Sequence, residues 1–240
     1  MLFGFFLFDW TILILIPGLI FTLWAQMKVK SSYTRYSQEL LPAYMTGAAM
    51  ARRILDSNGL SHIPIEVVRG HLSDHYDPRH KVLRLSEAVY HGNNVAAVGV
   101  AAHEAGHALQ DVRGYVPLRF RVAIVPACNI GSRLAMPLFI IGLLMAGLST
   151  VADWLMLAGI VAFSLSVFFQ LITLPVEFNA SRRAMRCLEG AGVMSDGQLK
   201  GSRKVLSAAA MTYVAALAVG LLSLLRLLLI AASASRRNSR

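Results

Sequence analysis

The sequence predicts a mostly α-helical, polytopic membrane protein with about four transmembrane helices and a small α+β part carrying a short strand hairpin. Three observations lead there. The 240-residue chain is 56% hydrophobic and its mean hydropathy is positive, which is more apolar than soluble domains of this size. Its apolar residues gather in four runs, each near the ~20 residues a helix needs to cross a bilayer. Two polar segments, 28–133 and 175–207, lie between the runs, and helical and alternating periodicities succeed one another within them.

The four expected spans are Trp10–Met27, Leu134–Leu148, Trp154–Leu174 and Ala208–Ala232. Asp9 interrupts the apolar stretch ahead of the first. No Lys or Arg precedes it and no small-x-small cleavage site follows, so it reads as a retained anchor and not a signal peptide. The second run is short, and an upstream extension through Val122–Ile130 is open to it. The fourth carries Arg226, which must face protein or snorkel to the interface.

In the first polar segment, Ser31–Asp56 reads as two helices, closed by Asn58-Gly59. Ile63–Val68, bounded by Pro64 and Gly70, reads as a strand. Asp74–Ser86 reads as a hairpin turning at Asp77-Pro78-Arg79, with Val82–Leu85 returning as an edge strand. Val95–Leu109 has the composition of a buried helix. In the second segment a polar helix is expected to start at Pro175 and run to Leu188, because proline suits a first turn.

Charge sets an expected orientation. Residues 28–133 hold 13 Lys+Arg against 8 Asp+Glu, and 175–207 hold 6 against 3. The turn Ser149–Asp153 holds no basic residue. The positive-inside rule places both polar segments in the cytoplasm and the turn outside. Four spans then leave both termini outside, which Arg236, Arg237 and Arg240 oppose. The net charge of +10 is scattered beside apolar runs and not clustered with aromatics. It reads as contact with an anionic lipid bilayer and not with nucleic acid. Cys128 and Cys187 have no metal spacing and read as free thiols.

The chemistry-bearing stretch is His103-Glu104-Ala105-Gly106-His107. On a helix, His103 and His107 stand one turn apart on one face and can share one Zn²⁺. Glu104 between them can take a proton from water at the metal. This His-Glu-x-x-His spacing is that of zinc metalloproteases. A solvated helix with two surface histidines is the plain alternative, but Val98–Ala102 before and Ala108-Leu109 after are apolar. A third ligand is needed, and Glu177 is the main candidate; a carboxylate favoured by the dipole at a helix start is the alternative. His62, His71, His80 and His91 fall in loops or turns. His75 could face the cleft and support a tetrahedral intermediate. An edge strand beside a zinc site could take extended substrate by backbone pairing.

Several stretches resemble the bacterial membrane-embedded neutral zinc metallopeptidases. They are Asp74–Arg79, Val82–Ser86, Gly99–Gln110 and Leu174–Ala184, and the likeness covers nearly the whole chain, including the order of apolar runs. The family is similar in logic to the gluzincins. The resemblance implies a zincin-like catalytic part, Zn²⁺ held by His103, His107 and Glu177, and Glu104 as the base. Many gluzincins have Asp four residues after the ligand Glu; here that position is Ser181. Asn179 or Ser181 is then expected to support the ligands from behind.

The resulting expectation is a single membrane-embedded metallopeptidase domain over residues 1–240. It would cut membrane or membrane-proximal proteins or peptides by a metal-activated water. It would lie in the bacterial inner membrane with its active site at the cytoplasmic face. Two rivals come from other classes. A membrane scaffold with a zinc-stabilised, non-catalytic domain would have no use for Glu104. A small transporter would need ionisable groups or broken helices inside its spans, and Arg226 is the only clear one.

Overall fold

The computed structural model describes residues 10–70 and 73–238. Asp9, His71, Arg240 and the side chains of Arg236 and Arg237 lie outside that description. The chain falls into two compact units. The polar unit comprises Ala25–Arg119 and Leu174–Met211; the apolar unit comprises Phe120–Thr173 and the described parts of Met1–Trp24 and Thr212–Arg240.

The polar unit opens with the end of α1 (Ile16–Tyr36), a helix that a short 3₁₀ segment, Trp10–Leu15, leads into. Helix α2 (Gly47–Asp56) starts where the Thr46 side chain accepts the Ala49 N–H, satisfying one of the free donors of the first turn. Its Met50, Ala51, Ile54 and Leu55 are buried, the one-sided spacing of a core-facing helix.

Three strands follow, β1 (Ile65–Val68), β2 (His75–Asp77) and β3 (Val82–Ser86), in the order β1-β3-β2. β1 runs parallel to β3 and pairs Ile65 with Leu83; β2 runs antiparallel and pairs Tyr76 with Leu83. The hairpin turn is held by Asp77, whose Oδ1 accepts the Arg79 and His80 N–H groups at 2.9 and 3.2 Å. Burial would raise the Asp77 carboxyl, but hydrogen bonds from His80, Arg79 and Arg84 outweigh it and hold it well below the usual carboxylate range. One expectation needs correction. The returning strand β3 is central and not an edge, because β1 comes back in parallel beside it. The free edges belong to β1 and β2.

After one helical turn, α3 (Glu87–Tyr90), comes α4 (Val95–Val112), capped by Asn94, whose side chain accepts the Ala97 N–H at 2.9 Å. Most of α4 is buried. Its alanines and glycines let neighbouring helices close on it, and its Val95 and Val98 join Met50, Leu55, Leu83 and Leu188 in one core.

Most of α5 (Val116–Leu144) and the first part of α6 (Val151–Ala191), up to Thr173, form a helical hairpin in the apolar unit. Helix α5 includes the upstream extension and ends four residues before Leu148; Gly147, at φ +88°, makes the turn. The two helices approach closely at Gly159, where a Cβ would stand 2.7 Å from the Ala135 carbonyl oxygen. Small residues at crossings are how helices associate where lipid removes the hydrophobic drive. Phe139, Met156 and Ile160 pack with Leu227 and Ile230 of α7 (Asp196–Asn238). Arg226 donates from Nε to Thr11 Oγ1 at 3.2 Å, so its charge faces protein. Among the described residues four helices, Trp10–Tyr36, Val116–Leu144, Val151–Ala191 and Asp196–Ser235, are long and apolar enough to cross a membrane. No more than 22% of their most apolar stretches is buried, which leaves apolar faces for lipid.

A second correction concerns Pro175. The structure has no helix start there: α6 runs unbroken through it from Val151. Proline cannot donate to the carbonyl four residues back, yet the helix continues because packing on both sides of the proline outweighs one missing bond. Glu177 is therefore mid-helix, and the reading of it as a helix-start carboxylate does not apply.

Candidate metal centre and active site

His103 and His107 project from one face of α4, with ring centroids 4.8 Å apart and planes at 87°. Glu177 reaches them from α6, its Oε2 standing 3.2 Å from His103 Nε2 and 3.6 Å from His107 Nε2. One ligand-capable atom from each of the three lies within 4.8 Å of the others, among residues that are buried or nearly so.

The approach of α6 to α4 rests on Gly106. A Cβ at that position would stand 2.7 Å from the Ala180 carbonyl oxygen. Ala180 and Ala184 are fully buried on the same face of α6. Small residues on both helices thus let the backbones come close enough for the short reach of Glu177 and Ser181.

The outer nitrogens are also held. Gln110 is fully buried; its Nε2 donates to the Val176 carbonyl at 2.7 Å and to Asn179 Oδ1 at 3.1 Å. A carbonyl only accepts, so the amide orientation is fixed and Oε1 faces His107 Nδ1 at 3.0 Å. That nitrogen must carry the proton, which leaves the His107 Nε2 lone pair aimed at the cluster. Ser181 Oγ meets His103 Nδ1 at 3.1 Å. Two imidazole nitrogens and a carboxylate oxygen, converging and oriented from behind, form a donor set suited to a small divalent ion.

Glu104 is buried beside the cluster, and its Oε2 accepts the Tyr76 backbone N–H of β2 at 3.2 Å. Burial raises its carboxyl to about 7; His103 opposes this, Glu177 and Asp74 add to it, and the Tyr76 N–H opposes it. Tyr76 is itself fixed, since its hydroxyl donates to Asp111 Oδ2 at 2.8 Å and Asp111 also pairs with Lys81. Burial first, then the Asp111 carboxylate, raises the Tyr76 phenol above its ordinary value.

The structure thus brings together His103, Glu104, His107 and Glu177, with Ser181 behind one histidine. Asn179 stands one step further out, on Gln110 and on Arg183 Nε at 2.7 Å. His75 is exposed, and its ring nitrogen Nδ1 lies 2.7 Å from the Ser73 carbonyl. Gln110 and Tyr76 were missed as site residues. Gln110 had a signal: a polar amide three residues after His107, on the same face of an otherwise apolar helix.

This cluster, on a mostly helical frame with about four membrane-spanning helices, defines a membrane zinc-metalloprotease-like hydrolase. The chain belongs to the family described as "Putative neutral zinc metallopeptidase", whose pattern matches residues 11–232. It is 49% identical over 219 residues to "Putative membrane protease YugP" of Bacillus subtilis (strain 168), covering 91% of this chain and 95% of that protein. No solved structure matches it.

Proposed function

We propose that the chain is a Zn²⁺-dependent endopeptidase of the bacterial cell membrane, acting on membrane or membrane-proximal proteins or peptides. In this reading His103, His107 and Glu177 hold the ion, Glu104 is the general base, and Ser181, Gln110 and Asn179 orient the ligands. One observation carries it: two imidazole Nε2 atoms converge on Glu177 Oε2 directly beside a buried carboxyl. Residues 1–240 act as one membrane-embedded catalytic domain whose spans lie within the helices Trp10–Tyr36, Val116–Leu144, Val151–Ala191 and Asp196–Ser235. Segments 28–133 and 175–207 both supply the cluster and so share one side, which the surplus of basic residues makes cytoplasmic.

When bound, Zn²⁺ supplies Lewis acidity that activates water and polarises a peptide carbonyl. Glu104 takes the proton from the attacking water and delivers it to the leaving amine. The Tyr76 N–H holds Glu104 Oε2, which leaves Oε1 for the proton. His75, on the same strand, is the remaining candidate for support of the tetrahedral intermediate, and His75→Ala tests that role through kcat.

The test is zinc content and peptide hydrolysis by the purified full chain, in parallel with His103→Ala and His107→Ala. Wild type is expected to hold about one zinc per chain and to cut peptides; both variants lose metal and activity together. Tightly bound zinc retained at the wild-type level in both would rule out the site.

A further inference from the structure

Asp111 follows Glu104 on the same helix, α4, about two turns further along the same face. Tyr76 of β2 reaches both. Its backbone N–H donates to Glu104 Oε2 at 3.2 Å, and its hydroxyl donates to Asp111 Oδ2 at 2.8 Å. The residue is buried and belongs to the core of the polar unit. It therefore lies against α4 with a polar anchor at each end.

Asp111 grips the hairpin at a second point. Lys81, the last residue before β3, stands in the left-handed region at φ +53°, uncommon for a residue with a side chain. Its ammonium pairs with the same carboxylate oxygen. The strand so held has little other support: β2 is three residues long and pairs with β3 alone. A backbone N–H cannot be removed by ordinary substitution, but where it points depends on what holds its strand.

We propose that Asp111 is a positioning residue for peptide hydrolysis: through the Tyr76 hydroxyl it fixes β2, so that the Tyr76 N–H holds the Glu104 carboxylate in the orientation proton transfer requires. The inference rests on the peptidase reading above and deepens it. Proton transfer needs the base within hydrogen-bond reach, so a carboxylate left to swing lowers turnover while the metal ligands stay in place.

The experiment uses the full chain, loaded with zinc, in phosphatidylcholine nanodiscs with a fluorogenic peptide. It reads kcat, KM and zinc content for wild type, Tyr76→Phe, Asp111→Ala, Asp111→Asn and the double variant Tyr76→Phe/Asp111→Ala. Tyr76→Phe and Asp111→Ala should each lower kcat about tenfold, with KM within about twofold of wild type and zinc content unchanged. The double variant should fall no further than either single, because all three lose the same bond. Asp111→Asn should recover most of the kcat lost in Asp111→Ala, since its amide oxygen still accepts the hydroxyl. If Asp111→Ala fails to fold, a low kcat in Tyr76→Phe beside a high one in Asp111→Asn carries the same decision.

Unchanged kcat in Tyr76→Phe would overturn the proposal, as would additive losses in the double variant. Zinc lost in step with kcat would show a merely structural role and overturn it too. Each of these, with wild type active, leaves the peptidase reading intact. No hydrolysis by zinc-loaded wild type would reject that reading and the positioning role with it.

Discussion

Gln110 has one acceptor and two donors on its amide, and all three are engaged inside the protein. It fixes the His107 ring by hydrogen bonding alone. Gln110→Leu keeps the volume and loses these bonds, so zinc affinity should fall about 10- to 100-fold, read by competition with a chelator, while helix content stays unchanged. Glu104→Gln should retain zinc and lose at least ~10²-fold in peptide hydrolysis, because the amide cannot shuttle a proton; activity within a few-fold of wild type would place the base elsewhere. At this scale the sequence was legible where chemistry depends on residue type and spacing. His103, Glu104 and His107 declare themselves by a four-residue repeat. Tyr76 does not, because it serves Glu104 through its backbone N–H, a group every residue but proline possesses. Ser181 was legible only as a departure from a likeness, and its meeting with His103 comes from a helix crossing that no local pattern encodes.

Helix α6 joins an apolar stretch to a ligand-bearing one without a break, so its position is set by packing on both sides of Pro175. Gly106 is where α4 lets it in. Gly106→Ala should force the backbones apart and destabilise the protein by about 1–3 kcal/mol, with weakened zinc binding, measured by denaturant unfolding and metal titration. Ala180→Gly should not rescue it, because the clash is with a carbonyl oxygen and not a methyl. Glu177→Ala should lose most bound zinc. Glu177→Asp should lose part of it, since withdrawing the carboxylate by one methylene exceeds the small error that metal–oxygen bonds tolerate. Unchanged zinc in folded Glu177→Ala would exclude the carboxylate as a ligand. Among the elements, α2, α4 and the β2–β3 hairpin were legible from periodicity, caps and turn residues. The central place of β3 was not, because it depends on a parallel return by β1. The helix start expected at Pro175 failed because a proline rule for isolated helices gives way to packing.

Across the whole molecule, composition alone made the four apolar helices readable. Their ends were less so: α1 continues as a helix well past Met27, because no proline, glycine or cap stops it before Tyr36. Single cysteines placed at Ser57 and Ser195 should label from the same side of the membrane, as segments that feed one cluster must. Opposite sides would exclude a cluster built from both segments, whereas a shared outer side would only reverse the orientation. Removing zinc should lower the unfolding temperature, and restoring it at 100 times its dissociation constant should add about 2.7 kcal/mol.

The two histidines and Glu177 lie on either side of the α5–α6 turn, with His103 and Glu177 separated by 74 positions in sequence. The ribosome delivers them at different times. A nascent chain that has passed its second histidine lacks the Glu177 carboxylate of the cluster until two further apolar runs have been synthesised. The cluster is therefore a long-range feature of the chain: a product truncated before Glu177 keeps the His-Glu-x-x-His helix but lacks the carboxylate that α6 brings to it.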